Sequence, residues 1–223
     1  MHRDDERLGE ISKLVLGDVD ARFAPFKEFK ITWSNRRGLM ELRISDYLAG
    51  APEPVLISLM GTISNMIARK PFVYEEEYTE WVTSDEFPLR NRETYLRRSK
   101  NLSRTPAGKV YNIVDSVDRL LDMGLLKPAD IDNSFFSWTV RPNVGRIGFC
   151  STMMKVVGIS SALDDPSTPE YVLDYVVYHE SLHLRQGYRP QKRAHDSDFR
   201  REERAFPRYR EAERCLRGLR DKV

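Results

Sequence analysis

The stretch PEYVLDYVVYHESLHLRQG, from Pro169 to Gly187, has the marks of one helix running to Gln186. A proline opens it, a glycine stops it, and the apolar run YVLDYVVY is enough to bury it. Its second half carries HESLH, His179 to His183. At 3.6 residues per turn, positions i and i+4 lie about 40° apart around the axis and one turn apart along it. Both imidazoles therefore project to the same side and can close on one metal ion. Glu180 lies about 100° round from His179, outside the coordination sphere but beside it. A carboxylate there can take a proton from water activated by the metal.

A third histidine, His195, follows just ahead of another helical stretch, Ser197 to Leu219, which contains the pair Phe206-Pro207. Hydrolytic zinc sites commonly take three protein ligands and leave a fourth position for water. His179, His183 and His195 are thus the candidate zinc ligands and Glu180 the candidate general base. His2, the remaining histidine, sits at an N-terminus expected to lack fixed structure.

Upstream of the motif, the spacing predicts a helix opened by Thr105-Pro106, with Val110, Ile113, Val114, Val117, Leu120 and Leu121 on one face and Gly124 as its stop. Strands are expected at Phe135–Val140, Arg146–Cys150 and Lys155–Ser160. The first half has the same order of elements. A helix with Leu8, Ile11, Leu14, Val15, Val19 and Phe23 on its apolar face comes first. Strands Phe29–Trp33 and Leu39–Ser45 follow, then a helix over Val55–Ala68 and a helical segment interrupted near Phe87-Pro88. A shift of 115 residues pairs Ile44-Ser45 with Ile159-Ser160, Leu48 with Leu163 and Pro54 with Pro169. This pattern suggests an internal duplication, with a first copy over 1–104 and a second over 105–223. Ser64, Asn65 and Ala68 stand where the second copy has His179, Glu180 and His183, so the first copy has no imidazole or carboxylate to hold zinc in this way.

HESLH, the spacer LRQGYRPQKRA, HDSDF and a downstream Phe-Pro together resemble the SprT-like zinc metallopeptidases and the small minigluzincin-type peptidases. Those families set the third ligand in an H-x-x-x-F context. The segments FSW, RIGFC, GIS-SAL and P-E-Y-V precede the motif in the order of strands leading into their active-site helix. The likeness covers Thr105 to Val223 and is strongest over Ile159 to Pro207. It implies an α+β, zincin-like fold, a small mixed or antiparallel sheet packed on the active-site helix. It also implies a zinc-dependent peptidase (a hydrolase) in which His179, His183 and His195 hold Zn2+ and Glu180 is the base. The substrate would be a protein or peptide, its backbone paired along Arg146–Cys150 or Lys155–Ser160. The first copy would be a degenerate cover or pseudo-dimer half.

Composition narrows the remaining classes. The 223 residues are 40% hydrophobic and 31% charged, which suits a globular protein rather than a disordered one. No apolar run is long enough for a membrane helix, and MHRDDERLGE lacks a signal-peptide core. Two cysteines, Cys150 and Cys215, suggest a reducing, cytoplasmic setting and small packing roles. Net charge is +2, yet Leu184 to Val223 holds 13 Lys/Arg against 7 Asp/Glu. Interspersed acids favour a solvated helix with internal pairs. The alternative is a phosphate-binding face through Arg200, Arg201 and Arg204, which would suit a nucleic-acid partner. Two rival functions share the motif: a non-peptidase zinc amidohydrolase, and a zinc-binding scaffold or latent site. Asp196 and Asp198 are candidates to orient a ligand histidine or to cap the last helix. Tyr188, Arg189 and Tyr209 could reach the site but read first as surface or packing residues. Ser167 or Thr168 is the expected cap of the motif helix, and Trp33, Trp81 and Trp138 are expected packing anchors.

Overall fold

The computed structural model describes residues 2–36 and 38–220. By packing, the chain divides into two compact units, residues 1–87 and 88–223. The division comes before the boundary at Thr105 suggested by the sequence, because the residues just ahead of Thr105 are stitched to the second unit. Ser103 N–H donates to the Trp138 carbonyl at 2.9 Å, Leu102 bridges to Thr139, and Arg92 donates to the Asn133 side chain.

The first unit holds α1 (His2–Leu16), β1 (Val19–Ala24), β2 (Ile31–Arg36), β3 (Leu39–Ser45), α2 (Glu53–Ile67) and α3 (Glu76–Thr83). Helix α4 (Glu86–Arg98) starts at the junction. Helix α1 takes in His2 but does not reach Phe23 as its apolar spacing predicts. Gly17, at φ +82°, adopts the left-handed conformation that stops a helix. Beyond it Val19, Ala21 and Phe23 are buried in alternation, the two-residue period of a strand. Leu14, assigned to the apolar face, is 80% exposed. Trp33, an expected packing anchor, is likewise exposed on β2, whereas Trp81 packs edge-on against Phe87.

The second unit comprises α5 (Ile113–Asp122), β4 (Phe135–Trp138), β5 (Gly148–Ser151), β6 (Val156–Ile159), α6 (Glu170–Gln186), α7 (Ser197–Glu203) and α8 (Tyr209–Arg220). Thr105-Pro106 does not open α5. Asn112 caps it, accepting from Val114 N–H, while the Thr105 and Pro106 carbonyls receive the main-chain and indole N–H groups of buried Trp138. Gly124, at φ +69°, follows its end as expected. The helix read from Ser197 to Leu219 is two helices. Pro207 has no N–H to continue the ladder, and Phe206, buried and stacked on Tyr178, anchors the break. Pro169 takes the N-cap position of α6, with neither Ser167 nor Thr168 there, and Gly187 at φ +67° ends that helix.

The class is α+β with two small mixed sheets. In each, the first strand runs parallel to the third and the second antiparallel to it, giving the orders β1-β3-β2 and β4-β6-β5. Phe23 pairs with Ile44 in one and Trp138 with Ile159 in the other, and short 3-10 turns follow at Asp46–Leu48 and Ser161–Leu163. All four correspondences keep the 115-residue spacing. Helix α6 is the spine of the second core. Val172, Leu173, Val176, Val177 and Leu182 are buried on it, with Ile113 and Leu120 of α5, Val157 and Ile159 of β6, and Leu216 of α8 in the same cluster. Burial nearly all round is what an apolar helix at the centre of a unit requires. Among the described residues no helix is long and apolar enough to cross a membrane.

Candidate metal centre

Helix α6 presents His179 and His183 one turn apart, with ring centroids 5.2 Å from each other. The chain leaves the helix at Gly187 and returns through His195, whose ring lies 5.0 Å from that of His179 and 4.9 Å from that of His183. His195 Nε2 is 3.0 Å from His183 Nε2, and one nitrogen of each of the three rings falls within a 4.8 Å group. Zinc–nitrogen bonds of about 2.0–2.1 Å place tetrahedral ligand atoms ~3.4 Å apart, so this spacing suits a single ion.

Three features hold the triad. Phe199 lies against all three rings, at 5.0, 4.6 and 4.7 Å from those of His179, His183 and His195, and is 1% exposed. Asp196 caps α7 by accepting from Phe199 N–H at 2.9 Å and also receives Arg189 Nη1 at 2.9 Å, which fixes the turn that carries His195. Asp196 is therefore a cap and a loop tie rather than a partner of a ligand ring, and Asp198 pairs with Arg201 on the surface. Helix α7 is tied to α6 by Arg185, which donates to Glu202 at 2.5 Å, and by Tyr178, whose hydroxyl donates to the Glu202 carbonyl.

The orienting carboxylate is Glu203, which motif reading missed. Its Oε1 lies 2.7 Å from His179 Nδ1, so this nitrogen carries the proton and Nε2 is left for a metal. The Tyr175 hydroxyl reaches Glu203 at 3.0 Å and Glu213 at 2.8 Å, linking α6, α7 and α8 around the same histidine. One signal was present in the sequence: Glu203 is four residues beyond Phe199, so the two share a helix face.

Glu180 is 6% exposed and points toward β5. A Cβ on Gly148 would stand 2.5 Å from Glu180 Oε1, so the strand approaches the carboxylate only because residue 148 has no side chain. Burial raises the Glu180 pKa to about 7 against the opposing charges of His179 and Arg146. Burial likewise lowers His183 to about 4, aided by His179 and His195, and holds His195 below its ordinary value. His179 goes the other way: burial opposes its charge, but the Glu203 hydrogen bond and the surrounding carboxylates outweigh it. Two rings kept neutral and a third with its tautomer fixed make a donor set matched to a divalent cation.

The triad and Glu180 line one cleft of about 450 Å³ with Gly148, Phe149 and Cys150 of β5 and the loop from Gly187 to Ala194. Tyr188 and Arg189 belong to this lining, whereas Tyr209 packs on Tyr175. Burial pushes the Cys150 thiol well up, with Glu180 adding to it, which disfavours the thiolate a metal would need. Cys215 packs against the core. No family model, curated protein or solved structure matches this chain.

Proposed function

We propose that the second unit is a zinc-dependent peptidase of SprT-like, minigluzincin type, acting on protein or peptide substrates. The observation that carries this reading is the convergence of His179, His183 and His195 beside the buried carboxylate of Glu180. Zinc, when bound by the three imidazoles, would lower the pKa of water toward neutrality and polarise the scissile carbonyl. Glu180 accepts the water proton and passes it to the leaving amine, and a pKa near 7 suits a group that must do both. Among the described residues strand β5 pairs only with β6 and is an edge strand, so its outer N–H and C=O groups can pair with an extended substrate backbone. Glu203 keeps His179 in the tautomer that presents Nε2. The matching strand orders and registers support a duplication in which the first unit lost the metal ligands and kept the scaffold. The two cysteines, both free thiols, support a cytoplasmic setting.

Metal analysis combined with Glu180→Gln tests the assignment. Wild type should bind one zinc and cleave an unfolded protein, and the variant should keep the zinc and lose cleavage. Equal cleavage by both would remove Glu180 from the chemistry. Zinc binding without hydrolysis of any amide would leave a scaffold.

A further inference from the structure

The charged side chains lining the cleft are unbalanced in sign: Arg146, Arg189 and Lys192 against Glu180 alone. Arg146 stands just ahead of β5 on the strand wall, its guanidinium 4.9 Å from the Phe149 ring centroid. Arg189 and Lys192 stand on the loop wall. Arg189 is ion-paired to Asp196, whereas neither Arg146 nor Lys192 has an ion pair among the described residues. Nearby carboxylates are already engaged elsewhere: Glu202 by Arg185, Glu203 by His179 and Tyr175, and Glu213 by Tyr175. Among the acids of the C-terminal segment, Glu202, Glu203 and Glu213 are half-buried, while Asp198 and Glu211 are exposed beside Arg201 and Arg208. Of the cleft cations, Arg146 and Lys192 are exposed and Arg189 is half-buried. Arg193 and Arg200 are exposed on either side of His195.

We infer that the cleft selects extended polypeptide segments rich in Asp and Glu, with Arg146 and Lys192 as the residues that set this preference. The inference rests on the peptidase reading and adds the substrate class. Cations on both walls of a groove raise the local concentration of an anionic ligand and penalise a cationic one. A polypeptide fits better than a nucleic acid because the free edge of β5 offers alternating donors and acceptors, which only a peptide backbone can complete on both counts.

Binding to the zinc-loaded full-length Glu180→Gln variant separates this inference from the hydrolytic one. Fluorescent peptides of equal length, flanked by Asp/Glu, Ser/Gly or Lys/Arg, are compared by polarisation at low and high salt. The acidic peptide should bind at least about ten-fold tighter than the neutral one, and the gap should shrink with salt. Lys192→Glu, on an exposed loop, should narrow the gap, and Arg146→Glu with Lys192→Glu should reverse it. Equal binding of acidic and neutral peptides, or tighter binding of the basic one, overturns the inference. So does a single-stranded DNA oligonucleotide that outcompetes the acidic peptide at equal charge. Selective binding by the variant without cleavage by wild type would leave the selectivity standing and bring down the peptidase reading.

Discussion

Glu203 Oε1 and His179 Nδ1 are 2.7 Å apart, so a carboxylate from α7 fixes the ring orientation of the first imidazole of the motif on α6. Such outer partners set ligand basicity and tautomer as well as position. Glu203→Ala should therefore weaken zinc binding by about 10- to 100-fold while helix content stays unchanged. Competition against a chromogenic chelator, alongside far-UV circular dichroism, measures both. Affinity equal to wild type would show that the triad orients itself without Glu203.

The buried carboxyl of Glu180 has a pH signature. In the metal-free protein its pKa rises from 4.5 to about 7 because burial disfavours the charged form. The folded chain then binds a proton that the unfolded chain releases between those values. Its contribution to stability is complete below the unfolded value and is lost as pH rises through about 7. Glu180→Gln cannot ionise, so in the absence of metal its Tm should gain on that of wild type as pH rises through this window. Zinc should shrink the gap by favouring the charged carboxylate. A Tm difference independent of pH would contradict the burial of an ionisable carboxyl there.

Gly148 tests the contact between strand and base. Its added Cβ would lie 2.5 Å from Glu180 Oε1, so Gly148→Ala must displace the carboxylate or the strand. Zinc content should survive, because the three atoms nearest the added Cβ all belong to Glu180 and none to a ligand histidine. Hydrolysis should fall by at least about ten-fold, since the general base is moved from its working position. Steady-state kinetics with metal analysis separates the two, and unchanged kcat/KM would show that the carboxylate has room to move.

Asp174 carries a structural load on the same helix. Its carboxylate is 5% exposed and receives Arg119 Nε at 3.0 Å and Nη2 at 2.6 Å, a two-point pair joining α5 to α6. Removing Asp174 takes away this two-point pair but leaves Arg119 its second ion pair, to Glu170 at 3.0 Å, and its hydrogen bond to Ser116. Asp174→Ala should cost about 2 kcal/mol of unfolding free energy in urea. A loss below about 1 kcal/mol would place the pair with ordinary surface bridges.

Much of the candidate site is local and could be read from order along the chain. The spacing of His179 and His183 forces them onto one helix face, and the apolar run before them forces that helix into a core. Strand Leu39–Ser45 was legible to the residue from its composition and the turn before it. The errors arose where local preference met a non-local competitor. Val19 and Phe23 fit a helical face, but Gly17 ended the helix and β3 offered a parallel partner. Thr105-Pro106 has the chemistry of a helix start, but its carbonyls are engaged by Trp138 and Asn112 caps the helix instead.

By itself the sequence determined the pair of histidines one turn apart, the carboxylate beside them and the buried helix that carries all three, because helical geometry links neighbours in the chain to neighbours in space. Tertiary structure alone decided that His195 closes on that pair, that Glu203 rather than Asp196 orients His179, and that Gly148 admits β5 to the base. Those outcomes depend on where a loop returns and how α7 and β5 pack against α6, and no periodicity within one segment encodes a contact between two.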